Sequence, residues 1–103
     1  MNNEKIIIDN LQQIRVDARQ ITDDNSLRNA MDKYDMIFTG KKLNTIYSVE
    51  LKHYLTTNHG LSIDHKEFLL IIPKVCNVLN MNYETLYLLE DPKTIADYSI
   101  ELF

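Results

Sequence analysis

The stretch EFLLIIPKVCNVLN, residues 67–80, is the most apolar part of the chain, and its structure decides the fold. Its apolar residues recur three and four positions apart, as on one face of a helix, whereas a strand would need strict alternation or a short β-branched run. The members of that face are Phe68, Ile71, Ile72, Val75, Cys76 and Leu79. The stretch is also shorter than the roughly 18 apolar residues that cross a bilayer. It therefore predicts a helix that is capped by Asp64 and is either kinked or split at Pro73.

The same spacing predicts three helices before this stretch and a shorter one after it. The first covers residues 3–21 through the stripe Ile7, Leu11, Ile14, Ala18 and Ile21, the second runs from Leu27 to Phe38, and the third lies between Asn44 and Gly60. Downstream, residues 83–89 predict a short helix, and residues 93–103 an apolar tail that packs on the body or meets a partner. Four amphipathic helices with short connections predict an all-α antiparallel four-helix bundle, with a short C-terminal helix and an apolar tail.

Composition favours one helical domain spanning residues 1–103. Hydrophobic residues make up 45% of the chain and charged residues 25%, which is typical of a folded globular protein. Only two glycines are present, so few of the tight turns that β-hairpins use are expected. The single Cys76 has no partner for an internal disulfide, and the first residues do not resemble a secretion signal. A cytoplasmic protein is predicted, and the frequent Asn and Ile without Trp indicate a low-GC bacterium.

The sequence contains no motif for catalysis or cofactor binding. It has no glycine-rich phosphate loop, no G-x-S-x-G, no C-x-x-C and no H-E-x-x-H. The three histidines, His53, His59 and His65, are six residues apart, which does not bring successive ones onto one helix face. Cys76 has apolar neighbours, which predict an inert thiol. We therefore expect a protein that is not an enzyme and that has no cofactor and no metal.

The charge of the chain argues against nucleic acid as the partner. Fifteen acidic residues and eleven basic ones give a net charge of −4, so bulk attraction to phosphate is weak. A helix-turn-helix near residues 61–90 would have only Lys66, Lys74 and Lys93 for phosphate contacts. A DNA-binding regulator is therefore an alternative and not the main prediction.

Tyrosines are the candidate binding residues that the sequence itself provides. Tyr combines apolar area with a polar tip and is common at interfaces between proteins. Tyr47 and Tyr54 are seven residues apart on the third predicted helix, where they line the edge of the core. We expect Tyr83, Tyr87 and Tyr98 to be exposed and available to a partner.

The order and lengths of these segments resemble the immunity proteins of pediocin-like (class IIa) bacteriocins, particularly the enterocin A immunity type. The segments that carry the resemblance are EKIIIDNLQQI (4–14), YDMIFTGKK (34–42), IYSVELKHYLTTNHGLS (46–62) and DHKEFLLIIPKVCNVLNMNYETLYLLED (64–91), followed by the apolar tail. The resemblance implies a cytosolic antiparallel four-helix bundle that binds without performing chemistry.

The resemblance also implies a partner and a binding region. The partner would be the bacteriocin bound to its receptor, the membrane components of the mannose phosphotransferase system, with only peripheral or indirect membrane contact. Specificity would lie in the C-terminal half, at Tyr83, Tyr87, Tyr98, Ile100, Leu102 and Phe103, and we add Lys41 and Lys42 as an exposed basic spot. The alternative is a small phage or mobile-element protein that binds and inhibits or regulates a host protein.

Overall fold

Helices and a three-stranded sheet make up the fold in the computed structural model, which describes residues 2–103. In chain order the elements are α1 (Asn3–Ala18), α2 (Asp24–Tyr34), β1 (Thr45–Tyr47), α3 (Ser48–His59), α4 (His65–Leu79), β2 (Asn82–Tyr87) and β3 (Ile95–Glu101). The strands are antiparallel in the order β1-β3-β2, so β3 is the central strand. Strands β2 and β3 form a hairpin, and residues 88–94 are its tip.

The all-α four-helix bundle predicted from the sequence is therefore wrong. The short helix expected at residues 83–89 is strand β2 and the start of the hairpin tip, and the expected apolar tail contains strand β3. Tyr98, Ile100 and Leu102 are all buried at alternate positions, an arrangement that an extended chain provides and a helix does not. The C-terminal region is thus a sheet because β3 pairs with strands on both of its sides.

Helix α4 contains the apolar stretch and continues through Pro73 as one element, so the helix is not split there. Asp64 caps its start by accepting a hydrogen bond of 2.8 Å from the backbone N–H three residues later. Asn80 ends it in the left-handed conformation, and Arg15 Nη1 donates to the carbonyl of Leu79 at 2.8 Å. Within residues 2–103, no helix combines the length and apolarity needed to cross a membrane.

Helix α2 ends earlier than the sequence predicts. Asp35 adopts the left-handed conformation (φ 50°) and stops the helix, so Met36 and Phe38 enter the core from an irregular segment. The chain turns again at Gly40 (φ 89°), where a Cβ atom would lie 2.9 Å from Thr45 Oγ1. That loop leads into β1, which replaces the first turn of the third helix expected from the sequence.

One hydrophobic core lies between the helices and the sheet. Its fully buried members include Ile7, Leu11 and Ile14 from α1, Phe68, Ile72 and Val75 from α4, Ile46 and Ile100 from the strands, and Leu102 just after β3. The backbone N–H of Leu102 donates to the carbonyl of Asn44 at 2.8 Å. The end of the chain is therefore part of the core.

Helices α3 and α4 are consecutive and are joined by residues 60–64, and the β2-β3 hairpin follows them directly. His65 Nε2, at the start of α4, lies 3.2 Å from the carbonyl oxygen of Ala96 in β3. This contact fixes the first turn of α4 beside the hairpin.

Candidate functional site

Several large apolar side chains are exposed on α4 and on the neighbouring end of the hairpin. We call this set the α4–hairpin face and define it as Leu70, Tyr87, Leu88, Leu89 and Ile95. Leu70 is 73% exposed and Leu89, at the hairpin tip, is fully exposed. Tyr87 lies opposite Ile95 in the β2-β3 ladder, and Ile95 and Leu70 line the same groove. Large apolar side chains gathered in one exposed place are typical of a binding surface.

The groove between α4 and β3 forms the deeper part of this face. It encloses about 620 Å³. Apolar side chains form its floor and walls, and they are Leu69, Leu70, Ile95 and Tyr98. Basic side chains stand at its rim, and they are His65, Lys66 and Lys93. We call this feature the α4–hairpin groove.

The hairpin tip is held in a defined conformation by Asp91. Its carboxylate accepts hydrogen bonds from Thr94 Oγ1 at 2.6 Å and from the backbone N–H of Lys93 at 3.2 Å. These hydrogen bonds lower the pKa of the Asp91 carboxyl. The backbone N–H of Leu88 donates to the carbonyl of Thr94 at 3.0 Å, which closes the turn. The tip therefore presents Leu88 and Leu89 to solvent from an ordered turn.

The predicted binding residues from β2 and the C-terminal region are mostly not at the surface. Tyr98, at 5% exposure, is buried, which contradicts the expectation that it is exposed. Ile100 and Leu102 have no exposed surface. Tyr83 is half-buried and packs edge-on against Tyr98, with 5.5 Å between the ring centroids. Burial raises the pKa of the Tyr98 hydroxyl, as expected for a core position.

The remaining predicted residues are accessible. Tyr87 is exposed and belongs to the α4–hairpin face. Lys41 and Lys42 are exposed in the loop before β1, and Phe103 is half-buried with the Arg19 guanidinium 5.2 Å from its ring centroid. A role of these residues in binding stays a prediction.

The structure does not bring the predicted residues together into one site. The loop of Lys41 and Lys42 leads to Thr45, which lies opposite Glu101 at one end of β3. Tyr87 lies opposite Ile95 at the other end. Six residue steps along β3 separate these ends by about 20 Å. A single small partner surface would not contact both regions.

Sequence reasoning missed most of the α4–hairpin face. Leu70 lies off the buried stripe of α4, and that displacement was the signal that it faces outward. Leu88 and Leu89 stand directly before Glu90-Asp91-Pro92, a turn-forming segment in which two adjacent leucines are unusual. Ile95 could not be assigned without knowing that β3 passes beside α4.

The described residues bring together no obvious reaction centre. Among residues 2–103, no three His, Cys, Asp or Glu side chains form a cluster that could hold a metal ion. Burial raises the pKa of the Cys76 thiol to about 11, so the thiol is protonated at neutral pH. His59 Nε2 lies 3.1 Å from the hydroxyl of Tyr54, and this contact joins two residues of the same helix, α3. The α4–hairpin face is therefore the best candidate for a functional site.

Comparisons with known proteins identify no relative. No family model matches the chain, no curated protein matches its sequence, and no solved structure matches its fold.

Proposed function

We propose that the chain is a non-enzymatic protein-binding domain whose α4–hairpin face docks on a partner protein. The observation that carries the proposal is the exposure of Leu70, Leu88 and Leu89 beside the apolar groove. Burial of an exposed leucine at an interface contributes about 1.5–3 kcal/mol when it is complete. The hairpin tip is ordered by Asp91, so docking does not have to order it first.

DNA binding is the second candidate, because two consecutive helices followed by a β-hairpin are similar in layout to a winged helix-turn-helix. In a helix-turn-helix the second helix enters the major groove, and basic residues contact the phosphates. From residue 65 to residue 103 this chain has three lysines, no arginine and six carboxylates. The outward positions of α4 and the tip include Leu70 and Leu89, which cannot contact phosphates. Both charge and polarity therefore favour a protein partner.

The bacteriocin immunity role stays a prediction, and its structural premise is wrong. The resemblance implied a four-helix bundle, whereas the C-terminal region is a three-stranded sheet. What this role shares with the phage or mobile-element alternative is binding to a protein, and only this shared part is proposed. Expression in a strain sensitive to pediocin-like bacteriocins tests the role, and killing equal to that of cells with an empty vector would exclude it.

We also propose that the domain acts in the cytoplasm. Cys76 is buried and unpaired, and a chain without a disulfide is typical of a reducing compartment. The partner is then a cytoplasmic protein or the cytoplasmic part of a membrane protein.

Site-specific photocrosslinking in the cells that naturally produce the chain tests the proposed function. A photoreactive phenylalanine analogue would replace Leu89 or Leu70 in the face, and Val16 on α1 as a control with 51% exposure. We expect one covalently joined protein, identified by mass spectrometry, at both face positions and not at Val16. Equal adducts at all three positions, or none at the face, would contradict docking through this surface.

A further inference from the structure

We infer that the α4–hairpin groove receives an acidic amphipathic helix of the partner, with its apolar side chains in the groove and its carboxylates beside Lys66 and Lys93. The inference rests on the proposed function and specifies the chemistry of the partner. It follows from the size and apolar lining of the groove, from the charges at its rim and from the contacts that two backbone carbonyls beside it already make.

The size and polarity of the groove suit large apolar side chains. Its volume of about 620 Å³ lies within the range of about 300–1,000 Å³ that is usual for sites enclosing organic groups. Leu69 and Tyr98 form a nearly buried floor, whereas Leu70 and Ile95 are exposed walls. The exposed walls lose apolar contact with water only when a partner covers them.

The charges at the rim select an acidic partner. The chain carries a net charge of −4, yet every charged side chain that lines the groove is basic. Among residues 2–103, no carboxylate lies within ion-pair distance of Lys66 or Lys93. Carboxylates of a partner would therefore meet two ammonium groups that have no competing ion pair. Such complementarity speeds association and suppresses partners of the wrong charge.

The backbone beside the groove argues for a helix over an added strand. A strand would need free backbone donors and acceptors along the groove. The carbonyl of Thr94 already accepts the N–H of Leu88, and the carbonyl of Ala96 already contacts His65. A helix needs no backbone bonds from its partner, and it places apolar residues at i, i+3 or i+4 and i+7 along one groove. The groove therefore offers side chains, which is what a helix uses.

Binding of designed peptides tests this inference. The probe is a fluorescently labelled amphipathic peptide of about 20 residues, with leucines on one face and glutamates flanking them. The control peptide has lysine in place of each glutamate. A labelled DNA duplex of about 20 base pairs is the third probe. We expect fluorescence anisotropy to show saturable binding of the acidic peptide and at least about tenfold weaker binding of the lysine peptide, a difference of about 1.4 kcal/mol.

Two pairs of substitutions locate the binding. Lys66→Glu with Lys93→Glu should weaken the acidic peptide at least about tenfold, whereas Lys5→Glu with Arg28→Glu, an equal change of charge on α1 and α2, should not. Leu70→Ser with Ile95→Ser should also weaken it, in contrast to Val16→Ser with Val49→Ser, which alter exposed apolar positions elsewhere. All replaced side chains are exposed, and circular dichroism confirms that each variant is folded.

Each other outcome overturns the inference in a recognisable way. Equal binding of the lysine peptide would show that charge does not select the partner. Binding of the duplex that weakens with Lys66→Glu and Lys93→Glu would replace the helix by DNA and would also contradict the proposed function. If no peptide binds while photocrosslinking at Leu89 still captures one protein, the proposed function stands and the helical acidic partner is wrong.

Discussion

At the scale of single residues, Asp97 joins the sheet to a helix. The residue before α3, Tyr47, makes no side-chain cap, and the cap is provided instead by Asp97 of β3. Its Oδ1 atom accepts hydrogen bonds from Ser48 Oγ at 2.5 Å and from the Val49 N–H at 3.1 Å. A carboxylate at a helix N-terminus also interacts favourably with the helix dipole. One side chain therefore fixes the start of α3 to the central strand.

Replacement of this cap should reduce stability measurably. We expect Asp97→Ala to lower the free energy of unfolding by about 1–2 kcal/mol, because the N-terminal donors of α3 lose their acceptor. Asp97→Asn keeps an acceptor oxygen and should lose less. Urea unfolding followed by circular dichroism measures both values, and an alanine variant as stable as the parent would contradict the capping role.

Asp17 gives the fold a defined dependence on acid. Burial alone would raise the pKa of its carboxyl, but hydrogen bonds from Lys33, Tyr34 and Gln13 outweigh burial and lower it. The Lys33 Nζ atom lies 2.8 Å from Asp17 Oδ2, and the Tyr34 hydroxyl donates to the same oxygen. Because the folded pKa lies below the unfolded one, the stabilisation is present above about pH 4 and is lost as the pH falls through the folded value.

The acid dependence can be tested with one substitution and one control. At pH 7, Asp17→Asn should lower the free energy of unfolding by about 1 kcal/mol through the weakened hydrogen bonds. The difference from the parent should shrink as the pH falls below about 4, where the parent also loses its carboxylate. Asp9→Asn, in an exposed pair with Lys5, should change stability less. Thermal unfolding at several pH values measures this, and a constant difference would contradict the linkage.

At the scale of elements, Pro73 is the weak point of α4. It lacks the N–H that would bond to the carbonyl of Leu69, and its ring crowds that carbonyl, a cost of about 3 kcal/mol in a regular helix. Proline also restricts the unfolded chain, which returns about 1 kcal/mol. Pro73→Ala should therefore raise the free energy of unfolding by about 2 kcal/mol.

Chemical denaturation of matched variants measures the effect of Pro73. The control is Asn77→Ala, which changes an exposed position of the same helix and should stay within about 0.5 kcal/mol of the parent. A less stable Pro73→Ala variant would mean that the ring contributes packing that outweighs the missing hydrogen bond.

The elements that the sequence predicts well are those with local signals. Helix α4 has a stripe, a cap at Asp64 and a left-handed end, and all of them lie within the helix or beside it. Strand β2 is short, and its Tyr83, Leu86 and Tyr87 fit helical spacing as well as alternation. The choice was made by pairing with β3, which the spacing of residues within β2 does not reveal. The hairpin also turns at Asp91-Pro92 without glycine, so the scarcity of glycine was misleading.

At the scale of the whole molecule, the difference between signals within one element and contacts between elements also explains why the candidate site was not predicted. Tyr87 is the one predicted tyrosine that is exposed on the α4–hairpin face, and Tyr98 lies in the floor of its groove, whereas Leu70 and Ile95 meet there only because β3 passes beside α4. A surface formed by two elements cannot be read from either element alone. An apolar C-terminal region likewise fits an exposed binding segment or a buried strand, and the structure shows the buried strand.

Removal of residues 98–103 distinguishes a binding tail from a structural strand. The deletion takes Tyr98, Ile100 and Leu102 from the core, leaves β1 without its partner strand and leaves β2 with only its last two pairs to β3. Losing buried side chains of this size costs about 2–5 kcal/mol each, against a total stability of about 5–15 kcal/mol for a typical domain. We therefore expect the shortened chain to lose cooperative thermal unfolding and most of its helical circular dichroism.

Leu102→Ala is the milder test and should cost about 2–5 kcal/mol, whereas Leu89→Ala at the exposed tip should change stability by no more than about 0.5 kcal/mol. A shortened chain with native helical signal would mean that the helices are stable without the sheet, and the central role of β3 would then be wrong.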